Sequence, residues 1–289
     1  SLPAVLSDLA IPHYTVALDL GRVLHLHGIA CIESGDGTTA ADDVLTILRL
    51  AEGCLNESLL IGHIAGTNLI QMAAELTWML LQKRSVTDEQ LQTMQTNYQR
   101  LEIARSLLQA MRSEMASGAS LGEFVEHRGS YLRLTNTGSV PDSGIVARLQ
   151  VSFLPSGFFT HAKATLVGID WDYVVRPQRE RGLLTAFAEY GQISRLLDRR
   201  RIFTRPDLYL SHLAVPAAEQ IRMNSALTEN TCRQAQLACA LERHFLQHGS
   251  YPAELGALDV AILAGTSKTA FDETPMHYST SADARYRLW

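Results

Sequence analysis

The sequence contains few cysteines and none of the common catalytic signatures. Four cysteines are spread over 289 residues without a C-x-x-C pair, which excludes disulfide scaffolds, zinc ribbons and thioredoxin-type chemistry. The G-x-S-x-G, G-x-x-x-x-G-K-[ST] and G-x-G-x-x-G patterns are also missing, so serine hydrolase, P-loop and Rossmann folds have no support. The net charge of −5 excludes a general nucleic-acid or anionic-membrane binder.

The ends of the chain carry little targeting information. The sequence starts with Ser1 instead of Met, and the first ten residues lack the basic start and apolar core of a secretion signal. We therefore expect a processed or truncated product that meets a membrane only through a segment absent from this chain. The longest uncharged stretch, residues 58–74, is short and polar for a membrane span, which favours a buried helix in a soluble protein.

Apolar residues recur at helical spacing through the first 116 residues. The spacing predicts a first helix over 12–33 and a second over 39–54. Asn56 is the expected N-cap of a third helix that reaches Lys83, and Thr87 with Gln90 forms a capping box that opens a fourth helix to Ala116. Short loops between these helices make neighbours antiparallel.

The second half begins with a loop and ends with a small hairpin. Residues 129–150 are rich in turn formers and predict an irregular crossing loop. Further helices are expected over 157–175 and 177–201, and Pro216 is expected to start a last long helix that ends at His248, before Gly249. A short helical turn over 252–258 and two strands, 276–279 and 285–289, complete the prediction.

These elements predict a mainly α fold, an irregular antiparallel helical bundle or hairpin array with a small C-terminal β-hairpin. We expect a helical-hairpin domain over 1–215 and a second part over 216–289, packed on the first as one unit. No signature of fixed period recurs, so an irregular helical domain is favoured over a tetratricopeptide-style array.

The third helix holds the catalytic candidates. Glu57, His63 and Glu75 stand among apolar residues, and a buried carboxylate beside an imidazole can act as an acid/base pair if its pKa is shifted. The alternative is the polar edge of an amphipathic helix, with one or two side chains hydrogen-bonded in the core.

His244 and His248 are a weak candidate for a metal site. They lie four residues apart on one helix face, as a two-point clamp requires, but no third ligand is evident. His25 and His27 point to different faces, so a shared metal there is not expected. All four cysteines are interpreted as small core residues, and no cofactor is expected.

Eight arginines between Arg176 and Arg205 form a locally basic segment. Such a segment can hold an anion, with Arg195, Arg199, Arg200 and Arg201 as the candidates, or it can pair with the acidic remainder of the molecule. The second interpretation is favoured because charge runs are usually solvated faces.

The C-terminal segment carries a resemblance. Residues 240–258 read ALERHFLQHGSYPAELGAL, and the tail adds FDETPMHY and YRLW. These stretches resemble the A-L-E-x-Y-x-x-x-H/N-G-x-Y-P-x-x-L-x-x-L segment and the end of type II secretion pseudopilins, whose long helix is followed by a hairpin folded back on it. With about 215 residues in front, the chain is similar to uncharacterised bacterial exported or membrane-anchored helical proteins that end in this module.

This resemblance implies a protein of the bacterial envelope, or an exported one, that works through its surfaces. The leading hypothesis is a non-enzymatic helical scaffold or assembly protein, with a protein partner or self-assembly and no specific nucleic acid. A hydrolase with an inter-helix acid/base site around Glu57, His63 and Glu75 is the first alternative. An anion-binding helical module that uses the arginine-rich segment is the second.

Overall fold

The chain is mostly helical and carries a two-stranded C-terminal hairpin, so the predicted fold class is confirmed. The computed structural model describes residues 12–126, 209–258, 268–270, 274–281 and 285–289, with scattered positions between 161 and 176. The described helices are α1 (Pro12–Ser34), α2 (Gly37–Leu55), α3 (Leu60–Lys83), α4 (Asp88–Arg100), α5 (Ile103–Glu126) and α6 (Tyr209–His248). A 3₁₀ turn, Leu255–Ala257, and the strands β1 (Tyr278–Ser281) and β2 (Arg285–Leu288) follow.

A tight turn joins α1 to α2. Gly35 has a φ of 85°, a left-handed backbone conformation that glycine adopts without steric cost. Asp36 then caps α2, and its carboxylate accepts a hydrogen bond from the backbone N–H of Thr39 at 3.1 Å. The predicted boundary between the first two helices is therefore confirmed.

The predicted start of the third helix was wrong. Asn56 is the C-cap of α2, and α3 begins at Leu60 after Leu59, which gives no side-chain cap. Two of the last carbonyls of α2 accept the Asn56 backbone N–H, so this residue ends one helix and does not open the next.

The fourth predicted helix is two helices. Its start is confirmed, since Thr87 and Gln90 form a complete capping box. However, α4 ends at Arg100 and α5 begins at Ile103, which corrects the predicted continuation to Ala116. Leu101 and Ile103 are both buried, and positions two apart on a continuous helix point in different directions. A break in the helix brings both side chains into the core.

The last long helix also begins earlier than predicted. α6 starts at Tyr209 and runs through Pro216, so the proline does not mark its first turn. It ends as expected at His248, followed by Gly249 with a φ of 72°. The predicted loop 129–150 and helix 177–201 lie outside the described residues, as does most of 157–175.

The chain divides into two compact units. One contains Pro12–Ala110 together with Arg222–Trp289, and the remainder of the chain forms the other, most of which lies outside the described residues. The expected division into 1–215 and 216–289 stays a prediction. The unit of Pro12–Ala110 and Arg222–Trp289 contains most of the described residues.

The core of this unit surrounds α2, α3 and α6. The fully buried side chains on α2 are small or aliphatic, among them Ala40, Ala41 and Ile47. In α6, every residue from 237 to 243 is buried, whereas a surface helix would expose at least one side. This part of α6 is therefore enclosed by its neighbours.

The C-terminal hairpin folds back on α6, as the sequence predicts. β1 and β2 are antiparallel, with Tyr278 opposite Leu288 and Ser281 opposite Arg285. Leu237 and Leu241 of α6 form an apolar cluster with Leu258, Met276, Tyr251, Leu255, Tyr278, Tyr286 and Leu288. Tyr278 also donates a hydrogen bond of 2.8 Å to the backbone oxygen of Pro252, which fixes the segment after α6 to the hairpin.

Candidate functional site

His63 lies in the core, in the first turns of α3, with no exposed surface. Its Nδ1 is 3.0 Å from the Ser106 hydroxyl on α5, and its Nε2 is 2.7 Å from the Ser225 hydroxyl on α6. A neutral imidazole donates from one nitrogen and accepts at the other, so two hydroxyls satisfy it completely. Burial lowers the pKa of His63 to about 4, and the ring is therefore neutral at pH 7.

A polar cleft opens beside this histidine. It has a volume of about 540 Å³ and lies between the end of α2 and the α4–α5 break. Its lining is Glu52, Leu55, Asn56, Gln99, Arg100, Leu101, Glu102, Arg105, Ser106 and Gln109. Ser106 therefore links the cleft wall to the buried imidazole.

The structure does not bring the three catalytic candidates together. Both ring nitrogens of His63 face serines, so neither meets a carboxylate. Glu57 accepts a short hydrogen bond from the Tyr14 hydroxyl, and Glu75 lies on the surface. Burial and the Glu57 carboxylate together raise the pKa of Tyr14, which keeps the phenol protonated.

Three histidines of α1 each approach a carboxylate of another segment. His13 Nε2 lies 3.4 Å from Glu57, His25 Nε2 lies 3.2 Å from Glu75, and His27 Nδ1 lies 2.6 Å from Asp43. The third pair differs from the others because the Asp43 side chain is 9% exposed, whereas the other two acids have 44% and 69% exposure. A buried carboxylate requires a partner, and His27 supplies one.

Cys31 joins the His27–Asp43 pair. Its sulfur is 3.7 Å from Nε2 and 3.9 Å from Nδ1 of His27. Partial burial, followed by the Asp36 and Asp43 carboxylates, raises the pKa of the Cys31 thiol. One ligand atom from each of His27, Cys31 and Asp43 lies within 4.8 Å of the other two, a donor set that can hold a metal ion.

This group was not predicted from the sequence, where His27 was paired with His25, which points to a different face. The local signal is His27-x-x-x-Cys31, whose i, i+4 spacing places two ligands on one helix face. The interpretation of all cysteines as core residues is confirmed for Cys54, Cys232 and Cys239, which are buried, and wrong for Cys31, which is only partly buried. Asp43 could be added only once the α1–α2 pairing was known.

His244 and His248 are near each other at the exposed end of α6. Their rings stack with centroids 4.2 Å apart. Nδ1 of His244 lies 3.0 Å from the Ser250 carbonyl oxygen, and Nδ1 of His248 lies 3.1 Å from the His244 carbonyl oxygen. Both Nδ1 atoms therefore contact backbone oxygens at the end of the helix. The four arginine candidates, Arg195, Arg199, Arg200 and Arg201, lie outside the described residues.

The outer face of α1 is apolar and exposed. Val16 is 63% exposed, Val23 62% and Leu26 67%, and Leu20 lies between them. On the opposite face, Gly21 and Gly28 pack closely against leucines of α3, which holds the helix on the unit. Among the described residues, His13–Ser34 is the one segment long and apolar enough to cross a membrane by length and composition.

Comparison with known proteins gives no relative that could assign a role to any of these groups. No family model matches the chain, and neither a curated protein nor a solved structure matches it.

Proposed function

We propose that this protein is a non-enzymatic helical scaffold that assembles with a second copy of itself through the outer face of α1. The observation that carries the proposal is the exposed apolar stripe of Val16, Leu20, Val23 and Leu26. Exposure of such an apolar face to water is unfavourable, and the free energy of the system falls when another surface covers it.

The spacing of the stripe fits a helix partner. Steps of four, three and three residues place these side chains along one side of α1, the arrangement that two helices use when they pack along each other. If two copies of α1 cross in antiparallel fashion at Val23, Leu20 of one copy faces Leu26 of the other. Val16 then faces Ala30, and the apolar surface is covered on both sides.

A charged pair on the same side of the helix favours a protein partner over lipid. Asp19 and Arg22 are both about 60% exposed and form an ion pair at 2.5 Å beside the apolar stripe. Charged groups are costly in the hydrocarbon region of a bilayer but ordinary at the edge of a protein interface. The apolar length of α1 alone therefore does not favour insertion.

Sedimentation velocity at increasing protein concentration tests the proposal. We expect the wild-type chain to form dimers, and V23E and L26E to remain monomeric because each places a carboxylate in the covered stripe. L246E is the matched control, since Leu246 is an equally apolar residue, 51% exposed, on another helix, α6, and this variant should still dimerise. A wild-type chain that stays monomeric, or V23E and L26E variants that dimerise like it, would overturn self-assembly through α1.

The bacterial envelope is the proposed setting of this assembly. Its support is the resemblance of the C-terminal segment to pseudopilins, together with the packing of the hairpin on Leu237 and Leu241 of α6. Fractionation of cells that produce the chain provides the test. Recovery with envelope components agrees with the proposal, and recovery solely in the cytoplasmic fraction contradicts it.

A hydrolase is the second candidate, favoured by the His63–Ser106 contact at the wall of the cleft. It ranks lower because an imidazole with a pKa of about 4 is a weak base at pH 7, and because Ser106 is itself 4% exposed. Hydrolysis of simple nitrophenyl esters that disappears in S106A would promote this candidate. Equal rates in the wild type and S106A would remove it.

A further inference from the structure

We propose that His27, Cys31 and Asp43 form a binding site for a divalent cation of the zinc type. The site lies where α1 meets α2 and does not depend on the proposed assembly. The proposal is based on the position of the three side chains, whose ligand atoms all lie within 4.8 Å of one another.

Local structure brings the three ligand side chains together. His27 and Cys31 are one helical turn apart and share a face of α1. The tight turn at Gly35 returns the chain, so that Asp43 on α2 reaches the same face. Gly28, the residue after His27, packs closely against α3, where a Cβ would lie 2.9 Å from Leu76, and it lies beside the Asp43 carboxylate at an ordinary contact distance.

The donor types select the class of cation. Imidazole nitrogen, thiolate sulfur and carboxylate oxygen together suit zinc and chemically similar ions such as cobalt(II), whereas calcium and magnesium prefer oxygen ligands alone. Three protein ligands leave a fourth position of a tetrahedron for water. His27 is 54% exposed on its side chain, so in the single chain solvent can reach that position.

The distances are close to those of a tetrahedral site. Zinc bonds of about 2.1 Å to nitrogen and about 2.3 Å to sulfur place these two atoms about 3.6 Å apart. One ion binds one nitrogen of the ring, and the nitrogen that faces Asp43 is Nδ1, which is 3.9 Å from the Cys31 sulfur. Nδ1 and the Asp43 oxygen, now 2.6 Å apart, must separate to about 3.3 Å, which a rotation of the exposed imidazole can provide.

A simple ion pair explains only part of this arrangement. His13–Glu57 and His25–Glu75 are histidine–carboxylate contacts on the same helix, and among the described residues neither belongs to a group of three ligand atoms that could hold a metal ion. The third pair adds a cysteine one turn away and buries its carboxylate. This difference supplies an internal control, because a general affinity of histidine–carboxylate pairs for metals would include the pair at His13.

Titration of the reduced, metal-free chain with cobalt(II) tests the site. Binding through Cys31 produces a thiolate-to-cobalt charge-transfer band that saturates at one ion per chain and disappears when zinc is added. C31S should abolish the band. H27Q and D43N should each weaken zinc binding, measured by calorimetry, by more than about tenfold. A loss of about tenfold is already typical when only a residue that supports a metal ligand is replaced, and here the ligand itself is removed. H13Q should bind as the wild type does.

Several results would overturn the proposal. They are the absence of a charge-transfer band in the wild type, a band that persists in C31S, and zinc affinity that is unchanged in H27Q or D43N. A loss in H13Q equal to that in H27Q would show unspecific binding along α1. Because His27 is largely exposed, H27Q is expected to fold, and its helical circular dichroism spectrum provides the check.

Discussion

Replacement of His63 should remove a specific part of the pH dependence of stability. In the unfolded chain this imidazole has a pKa of about 6.5, and in the folded protein burial lowers the pKa to about 4. Above pH 6.5 both states hold it neutral, so it adds no pH dependence. As the pH falls from 6.5 to 4, the unfolded chain takes up a proton that the folded protein excludes, and the free energy of unfolding decreases.

The magnitude follows from the two pKa values. Each pH unit within this window lowers the free energy of unfolding by about 1.4 kcal/mol, so the group accounts for about 3 kcal/mol in all. This is a large share of the roughly 5–15 kcal/mol that stabilises ordinary domains. Protonation would also require both nitrogens to donate, so the serine hydroxyl that donates to the neutral ring, on Ser106 or Ser225, would have to turn its proton away.

Urea denaturation of the wild type and H63Q across this pH range measures the effect. Glutamine retains a donor and an acceptor for the two serines but does not titrate, so the H63Q profile should lack the decrease of about 3 kcal/mol. H248Q, at an exposed histidine, should follow the wild type. Parallel profiles of the wild type and H63Q between pH 6.5 and 4 would refute the assignment of a buried, neutral imidazole.

Other substitutions test the packing and the caps, all by denaturation at neutral pH. G37A should lose about 1–3 kcal/mol of stability through overpacking, because a Cβ there would lie 2.2 Å from the backbone oxygen of Ser85. G53A should gain about 0.5–1 kcal/mol of stability, because a Cβ at this position meets no atom within 4 Å and alanine has the higher helix propensity. T87A should lose about 1 kcal/mol with its capping box. D88N should lose about 1–3 kcal/mol, because it weakens the 2.9 Å contact with the largely buried guanidinium of Arg243. Equal stabilities of G37A and G53A, or wild-type stability of T87A or D88N, would contradict these contacts.

Local signals predict the helices well because they depend on neighbouring residues. The capping box at Thr87 and the glycine stop after His248 are determined within a few positions, and both are found as expected. The break after Arg100 is not visible in this way, since it results from burial of both Leu101 and Ile103 in the tertiary structure. Asparagine is common at both ends of helices, so residue type alone does not tell whether Asn56 ends one helix or begins the next. The end of α2 at Leu55 and the start of α3 at Leu60 make it a C-cap.

The polar sites depend on contacts between distant parts of the chain, which spacing alone does not supply. The sequence singled out His63 correctly as a polar residue among apolar ones, but its partners are 43 and 162 positions away. Glu57 and Glu75 share its helical region yet face other elements. The i, i+4 spacing of His27 and Cys31 is visible in the sequence. That Asp43 lies beside them can be predicted only once the pairing of α1 with α2 is known.

The contact between His63 and Ser225 has a consequence for synthesis on the ribosome. The first helices emerge long before α6 exists, because more than a hundred residues of the other compact unit are translated in between. During that time α3 lacks the helix that covers His63, and its apolar surface is open to chaperones or to aggregation. Translation that stops before residue 222 would therefore release a product that cannot close its own core and is a ready substrate for cellular proteases.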